Sequence, residues 1–309
     1  MVIHVIGTVN GQVNEGMRNV ATHLAKEFEK DNTVLYSGLK QIPQIVLNSR
    51  RADATMIFAR ANKLVYSLAS IVTKMCRSTW IVLVQKPDSD FMARNNKHPL
   101  KCSYLSITEG DMKDVKVVSG CKKKLFSVGI KAEKFAPVSV EQQKMLKQKY
   151  GFDPSKPLVI HVGHCSKIHT AQRMVVASGM FEDENVVRVL NDAKVKIHKG
   201  YLENVEEVYQ MADAYLFPTR SAEFVISIPL SVMEALSCGV PVIGYKSFEN
   251  LNEITGSEGA ITLVDNAEQL DKVLPEVIKK KSDHSLLEKT GSWGNVAQSV
   301  LRMVREENA

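Results

Sequence analysis

Apolar residues recur along the chain in two rhythms. Short unbroken runs at Val2–Ile6, Thr33–Tyr36, Thr55–Phe58 and Trp80–Val84 have strand length and fit strands buried on both faces. Between them lie segments of helical period. Gly16–Phe28 carries a stripe at Val20, Leu24 and Phe28, and Ile42–Asn48 and Lys63–Met75 read the same way. Strand, loop, helix, strand is the opening of a doubly wound parallel sheet, so the fold class is α/β. A polar loop is expected up to Pro99, then a strand with a turn over Tyr104–Glu109. Lys116–Val118 and Leu125–Ile130 are expected to close this half.

A second series follows. It predicts a helix over Val140–Tyr150, a strand over Leu158–Val162, a helix over Ala171–Met180 and a strand over Val186–Leu190. A helix over Val205–Asp213 and a strand over Ala214–Phe217 come next, with two further β-α units to residue 280. The last segment, Asn295–Glu307, repeats valine every four residues at Val296, Val300 and Val304 and reads as a helix. Pro137 and the change to a charged helix set a domain boundary near residue 138. The expected organisation is 1–137, 138–285 and a terminal helix in 286–309.

One stretch of the second series concentrates the chemistry. Pro229 ends what precedes it, Ser231 and Glu234 have the spacing of a capping box, and Gly239 with Pro241 stops the helix two turns later. Val240–Ile243 then reads as a buried strand. The first amides of such a helix have no partner within it and face whatever lies ahead, which suits a phosphate or diphosphate.

Composition narrows the setting. A chain of 309 residues is long enough for two domains, and 44% hydrophobic with 24% charged residues is the balance of a soluble globular protein. The net charge of +6 is compatible with an anionic ligand or an acidic membrane surface. It is too small to argue for nucleic acid, and no nucleic-acid signature accompanies it. Five scattered cysteines without a Cys-x-x-Cys pair suit a reduced, cytoplasmic chain. The N-terminus lacks a basic region before its apolar run, so no signal peptide is expected, and the run Leu64–Val72 is too short to span a bilayer. Peripheral attachment at the inner face of a membrane stays open. Lys122–Lys124 is expected to be a solvated face, with a lipid-facing patch as the alternative.

Pro218-Thr219, followed by Pro229-Leu-Ser-Val-Met-Glu-Ala-Leu-Ser-Cys-Gly-Val-Pro-Val-Ile243, resembles the donor-site signature of GT-B glycosyltransferases of the family 4, or group 1, type. Val128–Pro137 resembles the linker motif of the same enzymes. The resemblance implies two Rossmann-like domains facing across a cleft. It implies a retaining transferase that moves a sugar from a nucleotide-sugar to a sugar or lipid-linked acceptor hydroxyl, in polysaccharide, glycolipid or glycoconjugate synthesis of the cell-envelope kind. The helix start at Leu230, Ser231 and Val232 would receive the diphosphate, and Glu234 the ribose. No metal is expected, since such enzymes generally need none.

The sequence departs from that family at three places. An arginine and a lysine that neutralise the diphosphate are replaced by His164 and His169, with Lys167 between them. The glutamate usual eight positions before Glu234 is Ile226, and Glu223 stands eleven before. The cleft histidine of the first domain is missing. Lys167 and Glu223 are therefore the catalytic candidates, His164 and His169 further donor ligands. Gly7, Asn10, Gly11, Gly16 and Arg18 are candidate cleft or acceptor residues, the glycines being equally explained as turn residues. A nucleotide-sugar 2-epimerase and a catalytically degenerate partner subunit are the alternatives.

Overall fold

The computed structural model of the chain describes residues 1–9, 16–162, 202–219, 225–254, 259–280 and 291–308. The chain divides into two compact units. The first comprises Met1–Gly129, Ala222–Ile228 and Gly291–Ala309, the second Ile130–Ser221 and Pro229–Thr290.

The first unit is a six-stranded parallel sheet in the order β2-β1-β3-β4-β5-β6. Its strands are β1 (Val2–Gly7), β2 (Thr33–Ser37), β3 (Ala54–Phe58), β4 (Ser78–Leu83), β5 (Ser103–Ser106) and β6 (Lys123–Leu125). The helices between them are α1 (Gly16–Phe28), α2 (Ile42–Arg51), α3 (Lys63–Val72), α4 (Ser89–Lys97) and α5 (Glu109–Met112). The unbroken apolar runs become central strands because both of their faces are covered, and β3 and β4 are buried throughout. Ile6, Ile57, Ile81 and Tyr104 from the sheet pack with Val65, Leu68, Val72 and Phe91 from the helices. The last helix, α10 (Trp293–Asn308), joins this unit beside α1, where His23 stacks on Trp293 with ring centroids 4.9 Å apart. Ser78 and Ser103 both donate to the Glu307 carboxylate near its end.

Three expectations for this half are corrected. The segment expected to be a polar loop contains α4, because the Asp88 carboxylate caps it by accepting from the Phe91 amide at 2.8 Å while Phe91 is buried. The strand expected over Leu125–Ile130 lies earlier: Lys123–Leu125 is the edge strand, where Lys123 and Lys124 pair in parallel with β5 and stay partly exposed. Lys116–Val118 forms no strand.

The second unit carries, among the described residues, a parallel sheet in the order β10-β9-β8-β7. Its strands are β7 (Val159–Ile160), β8 (Ala214–Phe217), β9 (Val242–Tyr245) and β10 (Ile261–Val264). Its helices are α6 (Val140–Lys149), α7 (Val205–Gln210), α8 (Leu230–Ser237) and α9 (Leu270–Ile278). A buried ion pair braces α6 to the start of the sheet. Lys147, 5% exposed, reaches Asp213 at 2.6 Å, and the same carboxylate accepts from the Leu158 amide at 2.6 Å and from Gln143 at 3.1 Å. The chain enters this unit at Ile130, ahead of the position near 138 expected from Pro137, and the return of Ala222–Ile228 to the first unit was not anticipated. The expected helix Ala171–Met180 and strand Val186–Leu190 lie outside the described residues. Among those described, no helix is long and apolar enough to cross a membrane.

Candidate functional site

Helix α8 begins at Leu230, with Pro229 in the cap position at φ −66° and ψ 122° and no side chain closing the end. The expected capping box is not formed. The fixed φ of proline is already suited to a helix start, so the helix opens ahead of Ser231, and Glu234 is left too far along to reach back. The amides of Val232 and Met233 both turn to the Pro229 carbonyl, at 3.1 and 3.2 Å. The amides of the first turn are thus left without a side-chain cap, and no acidic residue stands in that turn. Val232, Met233, Ala235 and Leu236 bury the other face. Gly239, at φ +77°, ends the helix in a left-handed conformation that favours glycine and lets the chain turn into β9.

Polar side chains hold α8 from below. Glu234 is gripped by α7, where the buried Tyr209 hydroxyl donates to Oε2 at 2.8 Å. Tyr215, in β8, donates its hydroxyl to the Val162 carbonyl at 3.0 Å, just past β7. The rings of Tyr209 and Tyr215 lie 5.8 Å apart, and Phe135 meets Tyr209 edge-on at 5.8 Å. His161 stacks over Tyr215 with centroids 6.1 Å apart and donates from Nδ1 to the Leu216 carbonyl at 3.0 Å. Burial lowers its proton affinity to about 4, so it is a neutral imidazole whose proton is on Nδ1. Burial pushes the Tyr215 phenol upward, which keeps it protonated and able to donate.

The residues expected at the site divide three ways. Leu230, Ser231, Val232 and Glu234 share α8. Lys167, Glu223, His164, His169, Asn10 and Gly11 lie outside the described residues. Gly7 and Gly16 both have close neighbours. A Cβ on Gly7 would stand 2.5 Å from the Phe58 carbonyl oxygen, and one on Gly16 would stand 3.0 Å from the Ile226 side chain. Arg18 is half-buried in the first turn of α1.

Ile226 itself is 7% exposed, so the position of the family's sugar-binding glutamate is here an apolar packing residue. Its neighbour Ser227 is a contact that sequence reasoning missed. The Ser227 amide donates to the Val84 carbonyl just beyond β4, and its hydroxyl donates to Asp111 Oδ1, both at 2.8 Å. Burial raises the Asp111 carboxyl above its ordinary range. No local signal marks this pair, since 116 residues separate its members. Tyr215 was likewise missed, because an aromatic in a strand reads as core; its polar role appears only once β7 flanks it.

Residues 157–302, just under half of the chain, match the family model described as glycosyl transferases group 1. Comparison with curated protein sequences gives no match. Among solved structures, the chain is similar to MurG of Acinetobacter baumannii, at 11% identity and TM-score 0.54, with 99% of each chain covered. It is also similar to the N-terminal domain of trehalose-6-phosphate phosphatase of Candida albicans, at 10% identity and TM-score 0.59, with all of this chain and 97% of that one covered. At these identities the likeness speaks for the fold, and the fold is the α/β architecture of the GT-B class, with its parallel sheets and two Rossmann-like units.

Proposed function

We propose that the chain is a glycosyltransferase that uses a nucleotide-sugar donor and works with retention at the anomeric carbon. The observation that carries the reading is the start of α8. It is an uncapped helix terminus inside the segment that matches the group 1 glycosyltransferases, and Glu234 is held by Tyr209 about one turn along the helix. The departing nucleoside diphosphate carries the charge that develops in such a transfer, and backbone amides preorganised by a helix start stabilise it. Ser231 and the first-turn amides would meet the diphosphate, Glu234 the ribose, and Lys167, His164 and His169 would supply positive charge. The acceptor is a sugar or lipid-linked hydroxyl, and no metal is needed for these roles.

The direct test is calorimetric titration of the purified chain with UDP-, GDP- and ADP-sugars, followed by turnover with the donor that binds. Removing a group aimed at developing charge lowers turnover by about 10²–10³, the loss expected for Lys167→Ala. A buried Ile226 favours a second reading, a GT-B subunit that has lost catalysis and serves a partner. Failure to bind all three donor classes would select it.

A further inference from the structure

Helices α2 and α3 lie side by side on the first unit, and their outward side is both apolar and basic. Ile45 of α2 and Val65, Leu68 and Val72 of α3 enter one core. Four large apolar side chains stay outside it. Ile42 and Leu47 are exposed on α2, Leu64 and Ile71 on α3, and the two leucines are 50% and 52% exposed. Tyr66 marks the far flank of α3. Its hydroxyl donates to the His98 carbonyl at 2.8 Å, just after α4, and its ring meets Phe91 of α4 edge-on. Helical spacing puts Leu64 and Ile71 on the other flank, the one nearer α2.

Charge on this side has one sign. Lys40, Arg50 and Arg51 on or next to α2, and Lys63 and Lys74 on or next to α3, are all exposed, and among the described residues none of the five forms an ion pair. From Asn32 to Pro87 the sequence carries eight lysines and arginines and one acid, Asp53. That carboxylate accepts from the Val2 amide at 2.7 Å. The lysine run near β6 is different, since Lys122 and Lys123 give their ammonium groups to the carbonyls of Glu306 and Lys113.

We propose that the outward face of α2 and α3 docks on an anionic lipid bilayer. Charge complementarity selects this occupant. Anionic headgroups answer the unpaired cations, and the boundary with the acyl chains answers the isoleucines and leucines set among them. The surface is independent of the donor reading, because none of its residues belongs to α8.

The test uses the full chain and sedimentation with vesicles of phosphatidylcholine, alone or mixed equally with phosphatidylglycerol. Wild type is expected to sediment with the mixed vesicles, to stay in solution with the neutral ones, and to be released by raised salt. Arg50→Gln with Arg51→Gln should lower partitioning about twentyfold, since each cation near such a surface contributes about fivefold. Leu47→Gln with Leu64→Gln should lower it several-fold through lost apolar contact. All four positions are exposed, so the fold should persist, which circular dichroism checks. Wild type that ignores the mixed vesicles overturns the proposal, and if it self-associates in a way that the leucine variant abolishes, the face belongs to a second copy. A loss in the arginine variant with none in the leucine variant also overturns it, leaving attraction of charge without docking. Release by Lys122→Gln with Lys123→Gln, with both α2–α3 variants bound like wild type, overturns it in favour of the lysine run.

Discussion

β1 and β7 are the first strands of two parallel sheets, and a buried histidine belongs to each, yet the two units satisfy their polar groups differently. His4 is enclosed: Ser49 stands 3.1 Å from Nδ1 and Ser37 2.9 Å from Nε2. The carboxyl end of β1 continues in the same manner, with Gly7 pressed on the Phe58 carbonyl and Ile226 filling the space beside Gly16. In the second unit, His161 gives one ring proton to Leu216, the Val162 carbonyl is answered by Tyr215, and Tyr209 holds Glu234 of a helix whose start is uncapped. One edge is finished by close packing, the other by polar side chains, one of which holds a helix with an unfinished start. The uncapped helix start belongs to one of these two places. That place lies inside the segment matching the group 1 glycosyltransferases.

The largest expected effect falls on the brace beneath the second edge. Lys147→Ala removes the cation from a nearly dry pair and leaves Asp213 beside α6 without it. Breaking a buried pair from one side costs about 3–5 kcal/mol. Urea denaturation of the variant should show a loss of that size, and Lys147→Met, which fills the volume, a smaller one. A loss under about 1 kcal/mol, the range of a surface pair, would mean that the second unit does not depend on this brace.

Acidification should strain both edges. His161 and His4 have folded proton affinities of about 4 against the ordinary 6.5, both through burial. Between those values the unfolded chain takes up protons that the folded chain refuses. Stability is therefore full above about pH 6.5 and is lost as pH falls toward 4. For the fully buried His161 the loss is on the order of 3 kcal/mol. Asp111 works in the opposite sense, since its raised carboxyl favours the folded state at low pH and that contribution fades as pH rises through its folded range. His161→Asn keeps a donor for the Leu216 carbonyl and removes the titration, so its stability should vary less between pH 6.5 and 4 than that of wild type. An unchanged pH dependence would assign the acid sensitivity to other groups.

A smaller effect separates the packed edge from the polar one. Gly7→Ala forces a methyl onto the Phe58 carbonyl, and overpacking of this kind costs about 1–3 kcal/mol. Thermal melting should report it, while donor binding in the molecules that remain folded should match wild type. A specific loss of donor affinity would instead support Gly7 as a cleft residue.

The strands and most helices were legible because fully buried runs and amphipathic stripes are patterns of the chain itself. Val2–Gly7, Gly16–Phe28 and Ala214–Phe217 follow from them with at most a residue of difference. What escaped was decided by partners distant in sequence. Lys123 and Lys124 read as a charged surface, and only pairing with β5 makes them an edge strand. The cap of α4 was a local signal overlooked, Asp88 ahead of a buried Phe91. The capping box at Ser231 and Glu234 was a local signal that lost, because proline started the helix sooner and Tyr209 supplied Glu234 with a better partner. The segment of the site around α8 could be read because its spacing is contiguous. Its support Tyr209 comes from an element whose neighbourhood only the fold creates.

The finest division between the two edges can be made at Glu234. Its Oε2 accepts from Tyr209 at 2.8 Å, so the carboxylate helps to hold the helix as well as standing where the proposed ribose contact would be made. Glu234→Gln keeps a carbonyl oxygen for Tyr209 and removes the charge. Stability should then change by no more than about 0.5 kcal/mol, as for a substitution that preserves its hydrogen bond. Donor affinity should fall about tenfold, roughly 1.4 kcal/mol, because a charge-assisted contact becomes a neutral one. Tyr209→Phe supplies the converse, freeing the carboxylate while loosening its aim, and should raise the donor Kd without removing the charge. Calorimetric titration beside thermal melting reads the two quantities independently. If Glu234→Gln lowers the melting temperature and leaves the nucleotide Kd unchanged, Glu234 belongs with His4 and Gly7 as a residue that only builds the fold.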